Sequence, residues 1–345
     1  MEKLPTYRTG KSNLDKQIAE LIDDANLTQD TGLTFEMIVS AIRLGLEHAD
    51  RADLKLVNAA LKELRYAFHV FAPYKEISKC TIFGSARIQP GDPAYESAKQ
   101  LGAAMAARDW MVMTGAGPGI MAAGLEGAGS ENSFGINIVL PFEASANEFI
   151  ADDPKLINFR YFFTRKVTFM KETAGYAILP GGFGTMDEAF ELLTLMQTGK
   201  TDLAPVVLLD PEGSTYWDRW RDFVEAELLE AGLISPADMD LFIITKSVEE
   251  AADEMANFYS TYHSSRSVGP RLVLRLKRSP SDAELATLTE DFSDIIEEGA
   301  IERIEPTDSE VADDDHLDLD RIAFRFNRHG FARLRLLINA LNDAS

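Results

Sequence analysis

The chain has 345 residues, enough for about two domains, and its 46% hydrophobic content supplies an ordinary globular core. A formal net charge of −22 argues against a general binder of nucleic acid or anionic membrane, since either needs a basic face. No run approaches the ~20 apolar residues of a membrane helix, and the polar start MEKLPTYRTGKSNLDKQ has no signal-peptide core, so a cytoplasmic location is the default expectation.

Residues 1 to 77 read as a helical N-terminal region. Leu33 to Leu44 carries apolar side chains at three- and four-residue intervals, and Asp53 to Phe71 lines up Leu54, Val57, Leu61, Leu64 and Phe68. A packing or oligomerisation collar is the simplest role for such helices.

From 78 to 263 the pattern changes. Short apolar runs are each followed by a turn: Cys80 to Phe83, Trp110 to Met113, Phe134 to Leu140 ending in Pro141, Tyr176 to Leu179, Pro205 to Leu209 and Phe242 to Ile244. Such runs, alternating with helix-like stretches, predict an α/β fold, a Rossmann-like doubly wound parallel sheet covered on both faces. Cys80 lies inside the first run and reads as a buried strand residue. A lone cysteine and five scattered histidines offer no metal cluster, so no metal site is expected.

Residues 268 to 345 read as a small α+β domain of order β-α-β-β-α. Its strands are Arg271 to Leu276, Ala300 to Ile304 and Leu319 to Phe326; its helices are Ser281 to Glu298, closed by Gly299, and Phe331 to Asn342. The run Asp313-Asp314-Asp315 between strands reads as a solvated acidic turn.

Three glycine-bearing turns fall at strand ends: Gly84-Ser85, the Gly115-Ala116-Gly117-Pro118-Gly119 loop, and Gly181-Gly182-Phe183-Gly184-Thr185. Parallel sheets bind ligands beyond their carboxyl ends, and glycine turns that open helices present free N–H groups to phosphate. Pro118 spoils the match of the Gly115 loop to a dinucleotide fingerprint, and the Gly181 loop lacks the lysine of a Walker motif. After the third turn, Thr185 and Glu188 have the spacing of a capping box, which stabilises a helix without chemistry. Glu188 is equally placed to order water or stabilise positive charge on a sugar, with Glu191 a further candidate on the same face. Upstream, Arg165 and Lys166 can engage phosphate or ribose oxygens or can simply be surface charges.

Arg165-Lys166 with Met170, followed by Pro180-Gly181-Gly182-Phe183-Gly184-Thr185-Met186-Asp187-Glu188, closely resembles the Lonely Guy family, whose members were long labelled lysine decarboxylases. The resemblance spans roughly residues 78 to 262 and takes in Gly84-Ser85, the Gly115 to Gly119 turn, Gly135-Ile136-Asn137 and Gln197-Thr198-Gly199. It implies hydrolysis of the N-glycosidic bond of a nucleoside 5′-monophosphate to free base and ribose 5-phosphate, without a cofactor. It implies a homodimer or higher homo-oligomer with the site near the dimer interface. Carried over by motif, Arg165 and Glu188 are the catalytic pair, and Gly181, Gly182, Gly184 and Thr185 hold the 5′-phosphate. Gly84, Ser85, Gly115, Gly117, Gly119 and Lys166 complete the expected nucleotide site. Nothing in the sequence marks a lysine Schiff base for a pyridoxal cofactor. The alternative is a non-catalytic carrier of a nucleotide or of the molybdenum cofactor, for which the same glycine loops would serve. The short members of the family lack both extensions, and the C-terminal one is the better regulatory candidate.

Overall fold

The computed structural model describes residues 5 to 140 and 146 to 343. Pro141, expected to end a strand, lies outside the described residues. The chain forms two compact units, one up to Arg65 and one from Tyr66 onward. In the first, α1 (Ser12–Asp24), α2 (Thr31–Leu46) and most of α3 (Arg51–Phe71) are helical. Ile18 and Ile22 of α1 pack with Phe35 and Val39 of α2, so the three-four spacing of apolar residues builds a small core of its own.

The second unit holds a seven-stranded, wholly parallel sheet. In chain order its strands are β1 (Lys79–Phe83), β2 (Met111–Thr114), β3 (Ser133–Ile138), β4 (Leu156–Phe159), β5 (Gly175–Ile178), β6 (Val206–Leu209) and β7 (Ile243–Thr245). Their spatial order is β4-β3-β2-β1-β5-β6-β7, and every pairing is parallel. This is the expected Rossmann-like architecture, with β4 as a strand the sequence pattern missed. Leu156-Ile157-Asn158-Phe159 is short and interrupted by an asparagine, so it carries no continuous apolar signature.

Side-chain alternation along each strand feeds two cores. Ile82, Val112, Ala177 and Val207 point into one, covered by α4 (Pro93–Ala106), α5 (Ile120–Ala128) and α9 (Val248–Asn257). Phe83, Met113, Ile178 and Leu208 point into the other, against α6 (Phe162–Glu172), α7 (Phe183–Gln197) and α8 (Tyr216–Phe223). Cys80 is wholly buried in the first core, where burial pushes its thiol pKa up and keeps it protonated.

The C-terminal segment forms a four-stranded antiparallel sheet of β8 (Tyr262–Val268), β9 (Arg271–Leu276), β10 (Glu302–Arg303) and β11 (Asp320–Phe324), in the order β10-β11-β9-β8. Strand β8 precedes the element order expected from the sequence. Its polar run His263-Ser264-Ser265-Arg266-Ser267 has no apolar face to betray it. Helices α10 (Asp282–Asp291), α11 (Asp308–Asp313) and α12 (Phe331–Asp343) complete the segment. Leu272, Leu274, Ile322 and Phe324 belong to the same core as Phe83 and Ile178, so the two sheets share one continuous interior. Gly199 marks a close approach between them. It sits at φ +64°, and a Cβ there would collide with the Phe331 ring of α12.

The acidic run is exposed at Asp313 and Asp314, as expected, and two of its carboxylates are also paired with arginine. Arg266 pairs with Asp313 at 2.6 Å and Asp315 at 2.8 Å, and Arg275 reaches Asp315 at 2.5 Å. The arginines lie on β8 and β9, far away in sequence, so local charge density gave no hint of them.

Candidate active site

The order of the parallel sheet reverses at β1, whose neighbours are β2 and β5, and the three glycine turns converge beyond that point. Ser85 N–H donates to the Pro180 carbonyl at 3.2 Å, joining the first turn to the third. Ile120 N–H donates to the Ser85 carbonyl at 3.1 Å, joining the first to the second. Two glycines are forced by this crowding. A Cβ on Gly119, which sits at φ +69°, would strike the Ser85 carbonyl, and one on Gly115 would strike the guanidinium of Arg165. Gly182 and Gly184, by contrast, face open space, and Phe183 between them is 97% exposed.

Helix α7 begins at Phe183 with Gly182 as its N-cap, and no side chain caps it. Thr185 therefore lies inside the first turn and does not form the capping box its spacing with Glu188 suggested. Glu188 stands in the second turn. The N–H groups of this first turn have no side-chain cap, an arrangement that favours an anion.

Arg165 is buried on α6. Its Nε donates to the Ile136 carbonyl of β3 at 2.8 Å, and its plane lies over the Phe169 ring. This leaves Nη1 directed at Glu188 Oε1, 3.6 Å away. That separation is an ion pair but too long for a hydrogen bond. Burial raises the Glu188 carboxyl pKa to about 7, against the opposing pull of Arg165 and Lys166 and with the help of Asp187 and Glu191. Arg165 is itself lowered by burial, countered by Glu188. A carboxyl whose proton affinity is raised by burial, beside a fixed cation and the uncapped start of α7, is suited to proton transfer and to electrostatic stabilisation.

Lys166 and Glu191 are brought together, and with Phe183 of the third glycine turn they line one open surface pocket. Lys166 Nζ pairs with Asp187 at 2.7 Å and with Glu191 at 2.9 Å. Three residues that support the loops were not singled out from the sequence. Asn147 donates to the Gly117 carbonyl at 2.9 Å, and Tyr216 O–H donates to the Gly181 carbonyl at 2.6 Å. Thr114 Oγ1 accepts from Ala116 N–H at 3.1 Å, holding Ala116 at φ +60°. Asn147 and Tyr216 act across the fold on a backbone atom, a contact no spacing rule reports, whereas Thr114 acts locally, two residues along the chain.

Comparison with known proteins decides the family. Over 160 residues the chain is 30% identical to the "Cytokinin riboside 5′-monophosphate phosphoribohydrolase" of Mycobacterium tuberculosis, spanning 45% of this chain and 82% of that protein. The chain belongs to the Lonely Guy family. The family model described as "Possible lysine decarboxylase" matches residues 113 to 255. The Arabidopsis thaliana phosphoribohydrolase LOG1 is 32% identical over 94 residues, covering 27% of this chain and 42% of its own length. Among solved structures, a molybdenum cofactor binding protein from Rippkaea orientalis is similar at 18% identity with a TM-score of 0.37, covering 50% of this chain and 92% of that one. The family model thus covers β3 to β7, and residues 1 to 112 and 256 to 345 lie outside it.

Proposed function

We propose that the protein is a nucleoside 5′-monophosphate phosphoribohydrolase, of AMP or of a cytokinin-type riboside monophosphate, with Arg165 and Glu188 as its catalytic pair. The observation that carries this reading is the buried Arg165–Glu188 pair, 3.6 Å apart beside three joined glycine turns. The 5′-phosphate would rest on the N–H groups of Gly182, Gly184 and Thr185, with the Gly84 and Gly115 turns closing the opposite wall. Arg165, locked by Ile136 and by the Phe169 ring, would orient the nucleotide. The base leaves as the C1′–N bond breaks, and positive charge develops on the ribose. Glu188, as carboxylate, stabilises that charge and accepts the proton of the water whose oxygen bonds to C1′. The proton ends on the departing base.

We also propose a homodimer. Phe162, Phe163 and Val167 of α6 and Phe183 and Phe190 of α7 are exposed large apolar side chains on the two helices that carry the pair. Light scattering of the purified protein tests this, and a monomer at micromolar concentration would overturn it.

The activity is tested by incubating the full-length protein with AMP, CMP, GMP and cytokinin riboside monophosphates and measuring free base. Release of base with ribose 5-phosphate is the expected result. No release from any substrate by folded protein would overturn the proposal, and stoichiometric capture of an unhydrolysed ligand would favour a carrier.

A further inference from the structure

A second cavity lies behind the catalytic helices. It measures about 750 Å³ and is bounded by α6, the end of α7 with the turn that follows it, and β8 of the antiparallel sheet. Four cations line it, Lys166, Lys171, Lys200 and Arg266. Lys166 is paired with Asp187 and Glu191, Lys171 with Glu172, and Arg266 with Asp313 and Asp315, which leaves Lys200 without a carboxylate partner among the described residues. In a chain with 34 basic and 56 acidic residues, a lysine left without a carboxylate partner beside a cavity is a local feature of this wall. Its wall is also rich in hydroxyls, with Thr201 on one side and Ser265 and Ser267 on the other.

We propose that this cavity is a second binding site, for a small phosphorylated organic molecule, separate from the glycine turns. Cations flanked by hydroxyl donors match the several acceptor oxygens of a phosphate. The volume exceeds what inorganic phosphate fills and falls within the range of pockets that enclose a nucleotide or a sugar phosphate. Lys200 is held in place by its backbone N–H to Leu195 at 2.8 Å, and its ammonium has no acceptor among the described residues. Of the partners of Arg266, Asp313 is exposed and can give way to a phosphate, whereas Asp315 is also held by Arg275.

The cavity also touches the machinery of the proposed reaction. Lys166 follows Arg165 on α6, and Glu191 lies one turn beyond Glu188 on α7. A phosphate that takes Lys166 from Asp187 and Glu191 alters the charges around the catalytic carboxylate, giving the two sites a physical means of coupling. The family-like core supplies one wall and the C-terminal extension the other, so this site depends on an element outside the matched region.

Calorimetric titration of the full-length protein with ATP in one arm and ribose 5-phosphate in the other tests the proposal, alongside Lys200→Glu and Lys200→Ala. The expected result is a binding event that weakens at least tenfold in Lys200→Glu and less in Lys200→Ala, while base release without added ligand stays unchanged. Binding confined to the ATP arm identifies a nucleotide site, and binding confined to the other arm a sugar-phosphate site. If neither probe binds, if Lys200→Glu binds as wild type does, or if that variant loses basal base release, the proposal is overturned. The proposed activity stands or falls apart from this result, because base release and binding are read separately.

Discussion

The motif Thr-x-x-Glu occurs at Thr185–Glu188 and at Thr307–Glu310, with opposite results. At the second site it forms a complete capping box, in which Thr307 accepts from Glu310 N–H and Glu310 accepts from Thr307 N–H at 3.0 Å. At the first, Gly182 takes the extended cap conformation, so α7 starts early and the box never forms. Both glutamates are buried beside arginine. Burial would raise Glu310, but hydrogen bonds from the Thr307 backbone and hydroxyl and from Arg275, with the charge of Arg321, hold it down at about 2. Glu188, facing one guanidinium beyond hydrogen-bond length, is raised to about 7. A satisfied carboxylate is locked as an anion and serves the fold, whereas an under-satisfied one keeps a proton it can exchange.

The largest expected effect sharpens this contrast on the side of chemistry. Glu188→Gln should lower kcat for base release by about 10²–10⁴, with a thermal midpoint close to wild type. Retained turnover in a product assay would remove Glu188 from the reaction. On the side of the fold, Glu310→Ala leaves the Arg275 and Arg321 guanidinium groups without their shared acceptor. Urea unfolding should show a loss of about 3 kcal/mol, the scale for breaking a buried ion pair, with base release by the folded fraction unchanged.

Stability against pH separates the two glutamates by sign. Between its ordinary value of 4.5 and about 7, Glu188 is protonated in the folded protein and ionised in the unfolded chain. Its contribution to stability therefore falls as pH rises across that window. Glu310 does the reverse. It stabilises the fold above 4.5, and that contribution is lost as pH falls towards about 2. Denaturation curves for Glu188→Gln should lose the first slope and keep the second, and the same slopes in variant and wild type would break the comparison. The smallest effect belongs to the cap. Thr307→Ala should cost about 1 kcal/mol, while Thr185→Ala should leave helix stability nearly unchanged, because Thr185 caps nothing.

Much of this protein was legible in its sequence. Six of the seven parallel strands announced themselves as apolar runs, because a strand buried on both faces needs an apolar residue at nearly every position. The three glycine turns were equally legible, since backbones that approach as closely as Gly119 and Ser85 admit no side chain. Strands β4 and β8 were not legible. One is too short and the other too polar for periodicity to register.

For the site, composition and spacing placed Arg165 and Glu188 on successive helices but left Glu188 undecided between cap and reactant. Tertiary structure decided its environment. The helix start depends on the conformation of Gly182, and the proton affinity depends on burial and on a guanidinium 23 positions away in the chain. The pairing of Lys166 with Asp187 and Glu191 was likewise settled only by packing. Local sequence determines which backbone conformations are available, since those preferences act within a few residues. Charge pairing and desolvation act through space between segments distant in the chain, so the chemistry of an individual side chain is set only once the fold has closed around it.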